Sequence, residues 1–322
     1  MTPEARAKRG RLIAAFAAVY VIWGSTYLAI RYAVETIPPF LMAGTRFVIS
    51  GAILYAWARR RGSEAPSSAV WRAATITGLL MLFGGNGGIV WAEQRVPSGI
   101  TALLVAIVPL WMVLMEWLRP GGRRPHSAVF AGLLLGLVGI VLLVGPGAIV
   151  GHGDVDTLGT IVLMIAALAW AAGSIYSRHA ARPSSAVMAT ALQMLTGGVM
   201  FLVAAAATGE FTRFDAHAVR LPSAIGFLYL VTFGSLVGFT AYVYLLRNTT
   251  PAKASTYAYI NPVVAVLLGW AIAGEPVSWR TLLAAAVILS GVAIITVKGA
   301  ATKQQTVKVP AEKEDALVLK RA

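Results

Sequence analysis

The sequence predicts an all-α polytopic membrane protein, with ten transmembrane helices arranged as two inverted five-helix repeats around a central cavity. Three observations lead to this prediction. Hydrophobic residues make up 58% of the 322 residues and charged residues only 12%, about half the charged share of a soluble domain. The apolar residues fall into ten long runs, and the second five runs repeat features of the first five.

Each of the ten runs is long enough to cross a bilayer, which takes about 20 helical residues for about 30 Å of hydrocarbon. Short connections join them, and none is long enough to form a soluble domain. The first run follows basic residues, as in a signal peptide, but its length and the nine runs after it favour an uncleaved helix. The predicted spans are Leu12–Ile30, Pro38–Trp57, Trp71–Trp91, Pro97–Leu118, Ser127–Ile149, Leu158–Ser177, Ser184–Thr208, Pro222–Leu246, Pro251–Ala273 and Ser278–Val297.

These spans divide the chain into five segments. A basic amino-terminal segment, residues 1–11, precedes a first repeat over residues 12–149. A linker on the outer side, residues 150–157, leads to a second repeat over residues 158–297. The tail, residues 298–322, is polar and of mixed charge, a composition typical of disorder.

Topology explains the net charge of +14 without a nucleic-acid partner. Most Lys and Arg residues fall in the connections on one side of the predicted membrane, for example Arg59 to Arg61, and in the tail. Connections rich in Lys and Arg stay in the cytoplasm. We therefore expect both termini to be cytoplasmic, and we expect the partners to be the lipid bilayer and a small-molecule substrate.

The composition also excludes several kinds of chemistry. The chain has no cysteine, which excludes disulfides, thiol catalysis and cysteine-bound metals. It lacks the GxxxxGK pattern of ATP-binding loops, and it has no cluster of carboxylates or histidines at metal-like spacing. We therefore expect a protein that is not an enzyme, uses no cofactor or metal and is not driven directly by ATP.

The repeat is visible in two pairs of segments. Val96–Pro109 reads VPSGITALLVAIVP and Thr250–Pro262 reads TPAKASTYAYINP, each with one proline opening a span and another in its middle. LLGLVGIVLLV around Gly139 parallels VILSGVAIITV around Gly291. Because five spans is an odd number, the second copy enters the membrane from the opposite side, so the halves are inverted. Inverted halves suit alternating access, although a channel can carry the same symmetry.

Three motifs carry a resemblance to a known family. Trp23–Arg31 reads WGSTYLAIR, Gly84–Gly99 contains GGNGG and VWAEQ, and Ser255–Gly269 reads STYAYINPVVAVLLG. In these motifs the chain resembles the EamA branch of the drug/metabolite transporter superfamily, from about Leu12 to Val297. The resemblance implies ten helices in inverted halves, a cavity lined by helices one to four and six to nine, and a place in the bacterial inner membrane. It also implies export of small metabolites, amino acids and aromatic ones among them.

Two tryptophans are the first candidates for the cavity wall. One face of the first span is aromatic and consists of Phe16, Tyr20, Trp23 and Tyr27. Polar groups as deep in the membrane as those of Trp23 and Tyr27 face protein or water, not lipid. Trp170 occupies the matching place in the sixth span. In the aromatic amino-acid exporters that the chain resembles, the Trp at the position of Trp170 belongs to the central cavity. We expect Trp23, Tyr27 and Trp170 to contact the substrate; interhelical packing is the alternative.

Asn86 lies in the unusual run GGNGG in the third span. A glycine inside a helix is up to about 1 kcal/mol less favourable than an alanine. Small residues let helices approach closely, which accounts for the glycines. The run lacks the Lys and Ser/Thr of a phosphate-binding loop. The buried amide needs partners, so Asn86 is a candidate to bind a substrate carboxylate or amine.

Two prolines interrupt the fourth and ninth spans. Pro109 and Pro262 each remove a helical hydrogen bond and free a carbonyl, at Val105 and Ala258. Because the pair recurs in inverted halves, we expect hinges; static kinks are the alternative.

The ninth span also carries polar side chains near its proline. Tyr257 and Asn261 lie one turn apart on one face, and Tyr259 lies on another. One of these two faces is expected to line the cavity, and the sequence does not distinguish between them.

Arg46 is the charged residue in the middle of the second span, and Gln193 has a similar depth in the seventh. An intramembrane arginine is by default a functional residue, here an anchor for a substrate carboxylate. The structural alternative is an arginine that binds backbone carbonyls or reaches Glu35. Gln193 is a further candidate for substrate binding.

Glycines on the fifth span bear on oligomeric state. Gly132, Gly136 and Gly139 have the spacing of close helix packing, either within the fold or between two copies. We expect a monomer or a weak homodimer.

The sequence therefore predicts a secondary transporter of small metabolites, with amino acids, including aromatic ones, as the expected substrates. A proton-coupled carrier keeps a titratable group in its pathway, and no Asp, Glu or His lies mid-span, which favours facilitated diffusion or exchange. The alternatives are an exporter of drugs or organic cations from the same family, a non-saturating channel and an intramembrane enzyme.

Overall fold

The part of the chain that the structure describes is mostly helical. The structure, a computed structural model, describes residues 3–92, 101, 104–122, 124–144, 156–273 and 279–304, and these ranges contain no strand. Within these ranges six helices are long and apolar enough to cross a membrane, and shorter apolar helices accompany them. The chain is an all-α polytopic membrane protein, as predicted.

Each predicted span contains a helix. The helices of the first half are α1 (Pro3–Val34), α2 (Pro39–Arg60), α3 (Ser68–Ala92), α4 (Val108–Leu118) and α5 (Ser127–Val144). The helices of the second half are α6 (Thr157–His179), α7 (Ala186–Ala207), α8 (Leu221–Asn248), α9 (Pro251–Ala254 and, after a turn, Tyr257–Ala273) and α10 (Trp279–Gln304). Most of the predicted linker and most of the predicted tail lie outside the described residues.

Side-chain caps fix where several helices begin. Ser67, Asp156, Ser185 and Thr250 each accept a hydrogen bond from the backbone N–H three residues later. Such caps satisfy N–H groups that have no partner inside the helix, so they mark helix starts. They place the starts of α3, α6, α7 and α9 at the edges of the apolar runs.

The two predicted proline kinks differ in form. Pro109 lies in the first turn of α4, after a turn at residues 106–107. A proline is accommodated there because the first helical turn needs no N–H donor. Pro262 lies inside the second part of α9 and does not end it; the turn in α9 comes earlier, at Ser255 and Thr256.

The packing of the helices is two-fold symmetric. Helix α1 packs against α8 and α9, and α6 packs in the same way against α3 and α4. Helix α2 packs along α7, and α5 packs along α10. Exchanging the two halves leaves this arrangement unchanged, as expected for two related five-helix units.

Glycines allow the two symmetric pairs to approach closely. A Cβ added to Gly51 of α2 would lie 3.0 Å from the Ala191 carbonyl oxygen of α7. Between α5 and α10, a Cβ added to Gly132 would lie 2.9 Å from the Gly291 carbonyl oxygen. The glycines predicted to mediate packing on α5 therefore do so within the fold.

Helices α3 and α8, which correspond in the two halves, both change to π-helix in their middle. The π segments are Gly78–Asn86 in α3 and Leu230–Phe239 in α8. FGSLVG lies within the π segment of α8, while FGGNGG begins in the π segment of α3 and ends two residues beyond it. In both motifs a glycine follows the glycine of Phe-Gly by four residues. Wide π turns occur frequently at functional sites, and Asn86 of the first π segment and Phe239 of the second line the same cavity.

Candidate functional site

A central cavity lies between the two halves. Its empty space is about 690 Å³, open solvent included. It begins at the level of Trp23 and extends towards Ile30 and Val90, away from the end of the bundle at which α1 starts. That end, where α2, α6 and α8 finish in arginines, is called the basic end. The polar and aromatic residues of the central cavity are Trp23, Thr26, Arg46, Asn86, Trp170, Phe239, Tyr257 and Asn261.

A layer of aromatic rings bounds the central cavity on the side of the basic end. This aromatic floor consists of Trp23, Trp170, Phe239, Tyr242 and Tyr257. The Trp23 ring lies 5.0 Å from the Phe239, Tyr242 and Tyr257 rings and 5.7 Å from the Trp170 ring, mostly edge to face. Such ring pairs contribute about 0.5–1.5 kcal/mol each beyond their buried area, so the floor is a rigid apolar surface.

Trp23 is fixed by the π segment of α8. Its indole Nε1 donates a hydrogen bond to the Gly234 carbonyl oxygen at 3.2 Å. A Cβ on Gly238 would collide with the same indole nitrogen. Gly238 therefore makes room for the Trp23 ring, whose indole nitrogen donates to the Gly234 carbonyl oxygen.

Trp170 is fixed differently. Its Nε1 donates to the Tyr242 hydroxyl at 3.3 Å, and that hydroxyl is also 2.9 Å from Ser174 Oγ. Its ring lies against Gly85, where an added Cβ would come within 3.0 Å of it. A Cβ on Gly88 would lie 2.7 Å from Ala166 of the same helix, α6. The GGNGG glycines thus allow close packing.

Asn86 and Asn261 both line the central cavity, and each carries a side-chain acceptor that has no partner in the described part of the chain. The Oδ1 atom of each is buried and has no hydrogen-bond partner among the described residues. Leaving a buried acceptor unpaired costs about 1–3 kcal/mol. A ligand that donates hydrogen bonds would remove this cost at both positions.

Arg46 is the charged residue of the central cavity. It is only 3% exposed, its Nε donates to Ser235 Oγ at 2.8 Å, and its guanidinium carbon lies 4.7 Å from the centre of the Phe47 ring. Gly234 leaves room for it, since an added Cβ would lie 3.0 Å from Nη2. Among the described residues no carboxylate forms an ion pair with it, and Glu35 is not one of its contacts.

The structure distinguishes the two faces of α9. Tyr257 and Asn261 line the central cavity. Tyr259 faces α5: its hydroxyl donates to the Leu133 carbonyl oxygen at 3.3 Å, and its ring lies against Gly136.

The remaining predicted site residues lie elsewhere. Gln193 is 4% exposed and its amide nitrogen contacts Met81 Sδ at 3.5 Å, outside the lining of the central cavity. Pro109 follows the lining residue Val108, and Pro262 follows Asn261. The backbone of Tyr27 belongs to α1, and its side chain lies outside the described part of the chain.

Two polar residues at the site were not predicted. Ser235 binds Arg46, and Tyr242 joins Trp170 to Ser174. Aligning FGSLVG with FGGNGG would have pointed to Ser235, because it occupies the motif position after the first glycine. Tyr242 carries no such signal, since a tyrosine in an apolar helix is equally common in helix packing.

Comparison with known proteins agrees with this architecture. The chain matches the model of the EamA-like transporter family twice, over residues 10–145 and 157–297. It is 41% identical to the uncharacterized inner membrane transporter YedA of Escherichia coli K12, over 88% of this chain and 90% of that protein. It is 26% identical to the protein PecM of Dickeya dadantii, over 92% of this chain and 96% of that protein.

A solved structure shares the fold. It superimposes with a TM-score of 0.73 at 22% sequence identity, over 90% of this chain and 98% of that chain. The two family matches coincide with the two symmetric halves, each with its own π segment and its own tryptophan in the aromatic floor. The chain therefore belongs to the EamA-like transporter family and is a membrane transporter.

Proposed function

We propose that this transporter carries small zwitterionic metabolites, with amino acids, aromatic ones included, as its substrates. The observation that carries the proposal is the polarity of the central cavity. One guanidinium, that of Arg46, and two unpaired amide oxygens, those of Asn86 and Asn261, line the same cavity above an aromatic floor. A zwitterion offers a carboxylate to the guanidinium and an ammonium group to the amide oxygens.

Each residue then has a definite role. Arg46 anchors the carboxylate, because its Nε is held by Ser235 while the rest of a planar fork of donors remains for a ligand. Asn86 and Asn261 accept hydrogen bonds from the ammonium group. Trp23 and Trp170, which lie edge to face, form an aromatic surface against which an apolar or aromatic side chain packs.

The transport cycle in this proposal is alternating access. The aromatic floor lies between the central cavity and the basic end, and in this proposal it is the gate on that side. Pro109 and Pro262 are the proposed hinges at which α4 and α9 bend to open the floor. With both termini cytoplasmic in a bacterial inner membrane, the basic end is the inner side, and facilitated or exchange-type export delivers substrate to the outer side.

Organic cations and drugs are the second candidate substrates. The rings of the aromatic floor favour them, because aromatic faces attract cations. The buried guanidinium of Arg46 disfavours them by charge repulsion, so a substrate with a carboxylate is preferred.

Counterflow in proteoliposomes tests the proposal. Vesicles are preloaded with one unlabelled amino acid, and uptake of the labelled compound is followed without a pH gradient. We expect transient accumulation with the wild-type protein and its loss with Trp170→Ala. Trp57→Ala is the matched control, because Trp57 is 48% exposed on the outside of α2. If no amino acid exchanges in folded protein while an organic cation does, the substrate class proposed here is wrong.

A further inference from the structure

A second pocket lies at the basic end of the bundle. It is enclosed by the first turns of α3 and α7 and the last turns of α6 and α8, and its empty space is about 490 Å³, open solvent included. None of its lining residues lines the central cavity. Its charged lining residues, among those the structure describes, are the arginines Arg178, Arg182 and Arg247. We call it the arginine pocket.

Two of these arginines are held in place by the fold. Arg178 Nη1 donates to the carbonyl oxygens of Leu246 and Thr249, the latter at 2.7 Å, at the end of α8. Arg247 Nη1 donates to the Ser184 carbonyl oxygen at 3.1 Å. Each side chain is therefore fixed by one nitrogen, and its remaining donors are oriented without a ligand.

Some of the remaining donors have no partner. Arg178 Nε and Arg247 Nη2 are buried, and neither has a hydrogen-bond acceptor among the described residues. A donor of a charged group left unpaired in a buried position is more costly than a neutral one. An acceptor that also carries negative charge would both pair these donors and reduce the repulsion between the arginines.

The other lining residues indicate the kind of acceptor. The hydroxyls of Thr77 and Ser177 already donate to carbonyl oxygens of their own helices, so the arginines supply the donors. Val70, Leu192 and Val243 form an apolar wall. Guanidinium groups bind phosphate oxygens with paired, charge-assisted hydrogen bonds. A basic pocket between helix ends at a membrane surface, with an apolar side, is suited to a phosphorylated headgroup whose chains continue into the bilayer.

We propose that the arginine pocket binds a phosphate-type oxyanion through Arg178, Arg182 and Arg247, at a site separate from the transport cavity. The oxyanion has two possible sources, the headgroup of an anionic phospholipid in the leaflet at the basic end and free inorganic phosphate. The apolar wall favours the lipid.

Thermal unfolding in nanodiscs distinguishes the two sources. The protein is placed in phosphatidylcholine discs, in discs that also contain phosphatidylglycerol, and in phosphatidylcholine discs with added inorganic phosphate. We expect phosphatidylglycerol to raise the unfolding midpoint by on the order of 3 °C, because a ligand that binds only the folded state stabilises it. An equal rise with inorganic phosphate alone would identify free phosphate as the source. No rise with either probe would overturn the proposal.

Variants show whether the effect comes from the pocket. Arg182→Gln and Arg247→Gln should each lose most of the rise. Arg59→Gln is the matched control, because Arg59, like Arg182, is exposed at the basic end and donates one bond to a carbonyl oxygen four residues away. An equal rise in Arg182→Gln and Arg59→Gln would mean a general surface effect and would refute the site.

Two features of this test separate it from the unfolding of a variant and from the proposed transport function. Arg247→Gln also loses the bond to Ser184 and can unfold for that reason, so Arg182→Gln is the decisive variant. Trp170→Ala should keep the full response to phosphatidylglycerol, because Trp170 belongs to the central cavity and not to the arginine pocket. Failure of the proposed transport function would therefore leave this result unaffected.

Discussion

The π segments of α3 and α8 have the same backbone form, and their polar groups are used differently. In α8, the Gly234 carbonyl accepts from Trp23 and the Ser235 hydroxyl accepts from Arg46. In α3, the Asn86 oxygen has no partner among the described residues, and Trp170 donates to Tyr242 of α8. The polar groups of α8 therefore pair with side chains of the protein, whereas in α3 the Asn86 oxygen stays unpaired within the described residues and is available in the proposed function for a substrate.

This difference shows how an inverted repeat can hold an asymmetric substrate. Two identical half-sites would bind the two ends of a molecule alike. Here the α8 side orients a guanidinium, while α3 and α9 carry the amide oxygens. In the proposed function the guanidinium binds the carboxylate of the substrate, and the amide oxygens bind its ammonium group. The asymmetry would fix the direction in which an amino acid lies.

Removing the charge on the α8 side should have the largest effect. Arg46→Met should lower amino-acid counterflow by about 30-fold or more, since losing one partner of a buried charge pair costs about 2–5 kcal/mol. The unfolding midpoint should fall by no more than about 2–4 °C, because the variant loses one hydrogen bond, to Ser235, and no ion pair among the described residues. Counterflow and thermal unfolding of Arg46→Met are compared with Arg60→Met, an exposed control. Normal transport by folded Arg46→Met would show that Arg46 has a structural role.

Removing the unpaired amide on the α3 side should have an intermediate effect. Asn86→Leu should raise the half-saturation concentration about 10-fold, the value of one hydrogen bond to an ammonium group, without lowering stability. Asn248→Leu is the control: its amide donates to the Tyr244 carbonyl oxygen at 2.9 Å, so this variant should lose stability and keep its affinity. Concentration-dependent uptake and unfolding midpoints measure both. An unchanged half-saturation in Asn86→Leu would exclude Asn86 from the site.

The smallest effect should be a difference in stability between the Trp23→Phe and Trp170→Phe variants. Trp23→Phe leaves the Gly234 carbonyl without its indole donor, which costs about 1 kcal/mol. Trp170→Phe costs less, because the Tyr242 hydroxyl keeps its bond to Ser174. Thermal unfolding should therefore place the midpoint of Trp23→Phe about 2–4 °C below that of Trp170→Phe. Equal midpoints would mean that the two halves hold their tryptophans equally strongly.

Most of the fold could be predicted from the sequence, and part of the candidate site. Length and apolarity alone locate a helix in every predicted span. Polar or bulky groups are costly in a membrane helix, which singles out Trp23, Trp170, Asn86 and Arg46 as candidate site residues. Gln193 stands out by the same criterion, yet it lies at α7 against Met81. Depth in the membrane does not specify the direction in which a side chain points.

The sequence by itself determined the class of protein, the ten spans and the odd-numbered repeat, because these depend on hydrophobicity and spacing along one chain. The tertiary structure decided that Tyr257 and Asn261 face the central cavity, that Tyr259 faces α5, and that Ser235 holds Arg46. It also brought Arg178, Arg182 and Arg247 into one pocket. These relations join residues from different helices, and they follow from how the helices are rotated and packed, which no single helix encodes.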